Sequence, residues 1–74
     1  MNETQENRGL AHVRRCLLVF LEGDLTYEWL LDAIESSGLR NRDLGGVFEE
    51  VRGHGNPELH RTALSLCRSR GWLK

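Results

Sequence analysis

The side chains able to do chemistry gather in the C-terminal half. They are His54, His60 and Cys67, and the last two stand seven apart, on one side of a helix. Two chemistries suit such a set: metal ligation and a Cys-His nucleophile pair. A tetrahedral metal site takes four ligands at close, regular spacing, and the sequence offers no such set around these three. A reactive thiolate needs an electropositive, partly exposed setting. Cys67 instead shares the apolar periodicity of Leu59, Ala63 and Leu66. Gly45-Gly46 and Gly53-His54-Gly55 suggest a phosphate cradle, yet neither matches a P-loop or dinucleotide fingerprint, and no strand precedes either. The expectation is a chain that is not an enzyme, with no catalytic residues, no metal and no cofactor.

The elements holding these residues read as helices. Leu10, Val13, Leu17, Phe20 and Leu21 recur at helical spacing, and Gly23 stands where a left-handed cap would close a first helix. The dense run Cys16 to Leu21 also fits a buried strand, but its continuation back to Leu10 and the lack of a partner strand favour helix. A second helix, Thr26 to Ser37, is capped by Asp24 or Thr26 and ended by Gly38. Its stripe of Trp29, Leu30, Ala33 and Ile34 reads as buried, opposite Glu28, Asp32 and Glu35.

A third helix, Asn41 to Arg52, starts at Asn41 and Asp43 and places Leu44, Val47, Phe48 and Val51 on one side. Gly45-Gly46 inside it points to an irregular first turn or a close backbone approach, and we expect the approach. Asn56-Pro57 caps and opens a fourth helix, which ends at Gly71 with Arg68 and Arg70 in its last turn. Trp72 and Leu73 should fold back as a lid. Glycines 23, 38 and 53 lie fifteen apart with no matching residues between them, so they mark element lengths and not a repeat.

The predicted fold is therefore all-α: a compact bundle of four principal helices, five or six if short turns are counted. Residues 1–8 are polar and aperiodic and read as a flexible N-terminal tail, with residues 9–74 forming a single helical domain. At 74 residues the chain buries only roughly 60% of its unfolded surface, which leaves little room for a large cleft. The cysteines form no CxxC pair and fall on apolar stripes, as free thiols of a reducing, cytoplasmic compartment do. The start is polar and the apolar run is short, so neither a secretory signal nor a membrane span is expected.

A net charge of −1 is unlike that of a domain built on phosphate neutralisation. The charge is divided, however. Residues 1–38 hold three basic and seven acidic side chains (−4), and residues 39–74 hold seven basic and four acidic (+3). We expect recognition of a protein partner, including a second copy, between Glu28, Asp32 and Glu35 on one side and Arg40, Arg42, Arg61 and Arg68 on the other. The alternative is a helix-turn-helix regulator, with Arg40-Asn41-Arg42 offering donors to a major groove. Against it stand the acidic preceding helix and the lack of a following wing.

The stretch Trp29 to Arg52, with its helix ending in Gly38-Leu39, the Asp43-Leu44 helix start and the apolar-acidic run Val47 to Val51, resembles the middle of a death-effector-type domain. Leu64 to Leu73 is similar to the closing helix of bacterial effector-associated domains. Asn41 stands where the Arg-x-Asp-Leu signature of that superfamily has arginine, and such domains run longer, with six helices. The resemblance implies an adaptor that recruits partners by like-with-like bundle contacts, without catalysis.

Overall fold

In the computed structural model, which describes the backbone of residues 2–73 and the side chains of residues 9–73, four helices follow one another. They are α1 (Asn2–Leu21), α2 (Tyr27–Ser37), α3 (Asn41–Glu50) and α4 (Pro57–Ser69). No strand occurs among the described residues. The helix α1 is the spine: it touches all three others. Val13, Leu17, Phe20 and Leu21 supply its buried side, against Leu30, Leu31 and Ile34 of α2, Leu44, Val47 and Phe48 of α3, and Ala63 and Cys67 of α4. The helical backbone starts at Asn2, well ahead of Leu10 where apolar periodicity begins. The intervening segment contains no proline and no glycine before Gly9, so nothing in it stops a helix propagating toward the N-terminus.

Helix ends leave backbone groups without intrahelical partners, and most of the ends here have a local answer. After α1 the N–H of Gly23 donates to Phe20 O at 2.9 Å and that of Asp24 to Val19 O at 3.1 Å, with Gly23 at φ 87°. This is a Schellman cap, and α4 closes the same way. There Gly71 (φ 79°) donates to Arg68 O and Trp72 to Cys67 O, which turns Trp72 back into the core. At the helix starts, Thr26 Oγ1 accepts the Trp29 N–H at 3.5 Å and Asn56 Oδ1 accepts the Glu58 N–H at 2.8 Å. Pro57 takes the first turn of α4, where a missing N–H is harmless. Asp24 is not the cap of α2.

The start of α3 is different. Asn41 adopts φ 47°, the only non-glycine residue with positive φ among those described, and Arg40 at the cap position makes no side-chain cap bond. The Asn41 N–H donates instead to Trp72 O at 2.7 Å, so the C-terminal hook satisfies the first donor of α3. Asparagine is among the residues that tolerate this left-handed region. The first turn of α3 is thus the irregular feature, and the close approach expected at Gly45-Gly46 is not found. A Cβ added at Gly46 would meet nothing within 4 Å, and one at Gly45 only the Leu73 side chain at 3.9 Å. α3 also stops earlier than its pattern suggested, at Glu50, with Val51 as cap.

The close approach is at Gly55. Its backbone has φ 65°, and an added Cβ would stand 2.5 Å from Leu21 O, because the loop lies against the end of α1 and Asn56 donates its N–H to Leu21 O at 2.9 Å. Gly55→Ala should therefore destabilise the fold by about 2 kcal/mol or more, combining left-handed strain with a clash against backbone. Gly46→Ala, in the open face of a helix, should stabilise it by about 0.5–1 kcal/mol. Urea unfolding of the two variants measures both; shifts of equal sign would contradict this account of the loop.

Candidate interaction surfaces

At about 100° per residue, the buried side of α2 centres on Leu30, Leu31 and Ile34. Trp29 and Asp32 then straddle the line directly opposite. Trp29 is accordingly 68% exposed; Tyr27, at the first turn of α2, is 52% exposed. This corrects the sequence-based placement of Trp29 in the core: Ala33, its partner in the supposed stripe, is only half-buried and marks the edge of the buried side. Glu28, Asp32 and Glu35 are all exposed on α2, as the spacing predicted. The outer side of α2 is therefore an aromatic knob with carboxylates along one side of it. Small hollows adjoin it, one of about 240 Å³ by Glu28, Trp29 and Asp32, and another of about 300 Å³ reaching His12, Cys16 and Leu25.

The basic residues divide into two groups. Arg40 is half-buried and committed within the fold: its Nη1 donates to Leu39 O at 2.6 Å and Ile34 O at 3.4 Å, and its guanidinium lies 4.8 Å from the centre of the Trp72 ring. Arg70 also lies over that ring, at 5.5 Å. Two cations thus share the buried indole, each contact drawing on the negative ring face. Arg42, Arg61 and Arg68 are exposed.

These three line a trough between α3 and α4. It consists of two hollows of about 390 and 490 Å³ that share Glu49, His60 and Leu64. Arg42 and Arg68 border the first and Arg52 and Arg61 the second, while Leu64 and Leu73 provide apolar wall over the buried Phe48. Glu49 is the only acid in the lining and lies 3.7 Å from Arg52. His60 braces the trough: its Nε2 is 3.0 Å from Phe48 O, and its ring meets Phe48 edge-on at 5.5 Å. The sequence pointed to the arginines but not to Arg52 or to the apolar wall, because the wall forms only when α3 and α4 meet.

The nucleophile and metal readings find no assembled site. His60 is engaged with Phe48, and Cys67 is fully buried, its thiol pushed up to about 11 by burial despite Arg40 and Arg70 nearby. Among the described residues no group of three His, Cys, Asp or Glu side chains gathers closely enough to hold a metal. A Cys-His pair does exist elsewhere, at Cys16 and His12, 3.8 Å apart and one helical turn from each other. The i, i+4 spacing of this pair is visible in the sequence. Burial raises the Cys16 thiol, outweighing the opposing field of Arg15, so this pair lacks an activated thiolate. Of the donors named for a DNA-reading helix, Asn41 and Arg42 face solvent and Arg40 does not. No helix among the described residues is long and apolar enough to cross a membrane.

No protein-family model, curated protein or solved structure matches this chain.

Two outcomes follow from these placements. Arg40→Ala should lower unfolding stability by about 1–2 kcal/mol through loss of the Trp72 stack and of the bonds to the end of α2, whereas Arg42→Ala should stay within about 0.5 kcal/mol. Equal effects in thermal melts would remove the distinction between the two arginines. The raised Cys67 thiol also sets a pH dependence. An unfolded thiol ionises near 9.0 and the folded one near 11, so the unfolded state gains by releasing its proton in that window, and stability should fall as pH rises from 9 to 11. Cys67→Ala should flatten that slope in urea unfolding; an unchanged slope would show that the thiol titrates freely in the fold.

Proposed function

We propose that this chain is a small non-enzymatic interaction module, an adaptor or regulator that binds another protein through oppositely charged surfaces at separate places on one bundle. The observation that carries the reading is the α3–α4 trough: four guanidiniums and a single carboxylate around an apolar wall. Arginine keeps its charge at all working pH values and pairs with carboxylates in bidentate geometry. The apolar floor adds a place for a side chain to leave water. A protein segment combining carboxylates with a large apolar residue satisfies both. The likeness of residues 29–52 to death-effector-type domains supports the same role, recruitment by bundle surfaces.

A duplex makes a different demand. Phosphates would need an uninterrupted basic face, and α2, which would lie across the backbone in a helix-turn-helix docking, exposes Glu28, Asp32 and Glu35. The test sets the two partners side by side in fluorescence polarisation, with a labelled synthetic acidic peptide bearing one tryptophan and a labelled DNA duplex. The peptide should bind, weaken with salt, and weaken at least about tenfold on Arg42→Glu with Arg68→Glu. Duplex binding tighter than about 10⁻⁷ M with a steep salt dependence, and no peptide binding, would overturn the proposal in favour of a DNA-binding regulator.

A further inference from the structure

We propose that the occupant of the α3–α4 trough is a second copy of this chain, which inserts Trp29 of its α2. The inference rests on the interaction-module reading and goes beyond it by naming the partner. Trp29 is an indole 68% exposed, with Glu28 and Asp32 along one side of it. The trough is a recess in which Leu64 and Leu73 lie among Arg42, Arg68, Glu49 and His60. One surface supplies a large apolar side chain with carboxylates along one side of it, and the other supplies the apolar side chains of Leu64 and Leu73 in a lining that also holds the two guanidiniums. The two surfaces are complementary in kind, an indole with neighbouring carboxylates facing a recess that combines apolar side chains with guanidiniums.

The two surfaces cannot satisfy each other inside one molecule. They share no lining residue, and they belong to α2 on one side and to the α3–α4 pair on the other, with the α1 spine contacting both. Each copy therefore carries one free knob and one free socket. A contact of that kind is heterologous: it propagates head to tail, as a ring if the rotation closes and as an open chain if it does not. Tryptophan and arginine are also the residue types that most often dominate interface energetics. A single knob in a single socket buries little area, so the association is weak and grows with concentration.

Complementing variants test this directly. Trp29→Ala removes the knob, and Arg42→Glu with Arg68→Glu reverses the socket rim; all three positions are exposed, so circular dichroism should report unchanged folds. In sedimentation velocity at low salt, the parent should form species that grow beyond a dimer as concentration rises. Each variant alone should remain monomeric, and an equimolar mixture should give a dimer that stops there, because only one intact knob and one intact socket remain to pair. Self-association of Trp29→Ala equal to that of the parent would overturn the proposal, as would a mixture that stays monomeric. A parent monomeric at every concentration that nevertheless binds the acidic tryptophan peptide through Arg42 and Arg68 would also overturn it, while leaving the broader reading of an interaction module in place.

Discussion

The C-terminal hook is the constraint on which the rest depends. Trp72 is held at three points: its N–H donates to Cys67 O at 2.9 Å, its carbonyl accepts from Asn41 at 2.7 Å, and Arg40 and Arg70 both lie over its ring. Those contacts tie the end of α4 to the start of α3 and, through Arg40, to the last turn of α2. The other end of the bundle is tied by Asn56 N–H on Leu21 O. In both places a backbone donor from one element meets a carbonyl of another, so each bond is lost if its two elements separate. The Arg14–Glu50 ion pair, at 3.0 Å between half-exposed side chains, adds at most about 1 kcal/mol.

This arrangement explains the trough. With the start of α3 fixed to the Trp72 carbonyl and Phe48 braced by His60, α3 and α4 are positioned by their ends, and Leu73 lies over Gly45. The recess remains where no side chain from a further element fills it. Arg40 is taken up by the hook, and Arg42, two residues on, is left outside. Neighbouring arginines of the same short turn thus do different work, one inside the fold and one at its surface.

Local chemistry was readable from the sequence wherever the determinants lay within a few residues. Thr26, Gly38, Asn56-Pro57 and Gly71 announce helix ends because caps act on backbone groups one turn away. The all-α architecture of four helices was predicted on the same ground. Trp29 was misplaced because Trp29 and Ala33 fit a stripe one step around from Leu30 and Ile34, and only packing against α1 chooses between them. The close approach at Gly55 and the Arg40–Trp72 stack join residues distant in the chain, which periodicity cannot reveal. The charged residues could be named in advance, but not their division among the trough, the knob and the C-terminal hook.

Central to recognition here is the proposed entry of the α2 knob of one copy into the α3–α4 trough of another. An amide-resolved NMR dilution series of the unmodified chain tests it most directly. On concentration, resonances of Trp29 and Asp32 and of Arg42, Leu64 and Arg68 should shift together along one binding curve, while those of Arg14 and Glu50 stay still. Shifts confined to other residues, or spectra that do not change with concentration, would contradict it.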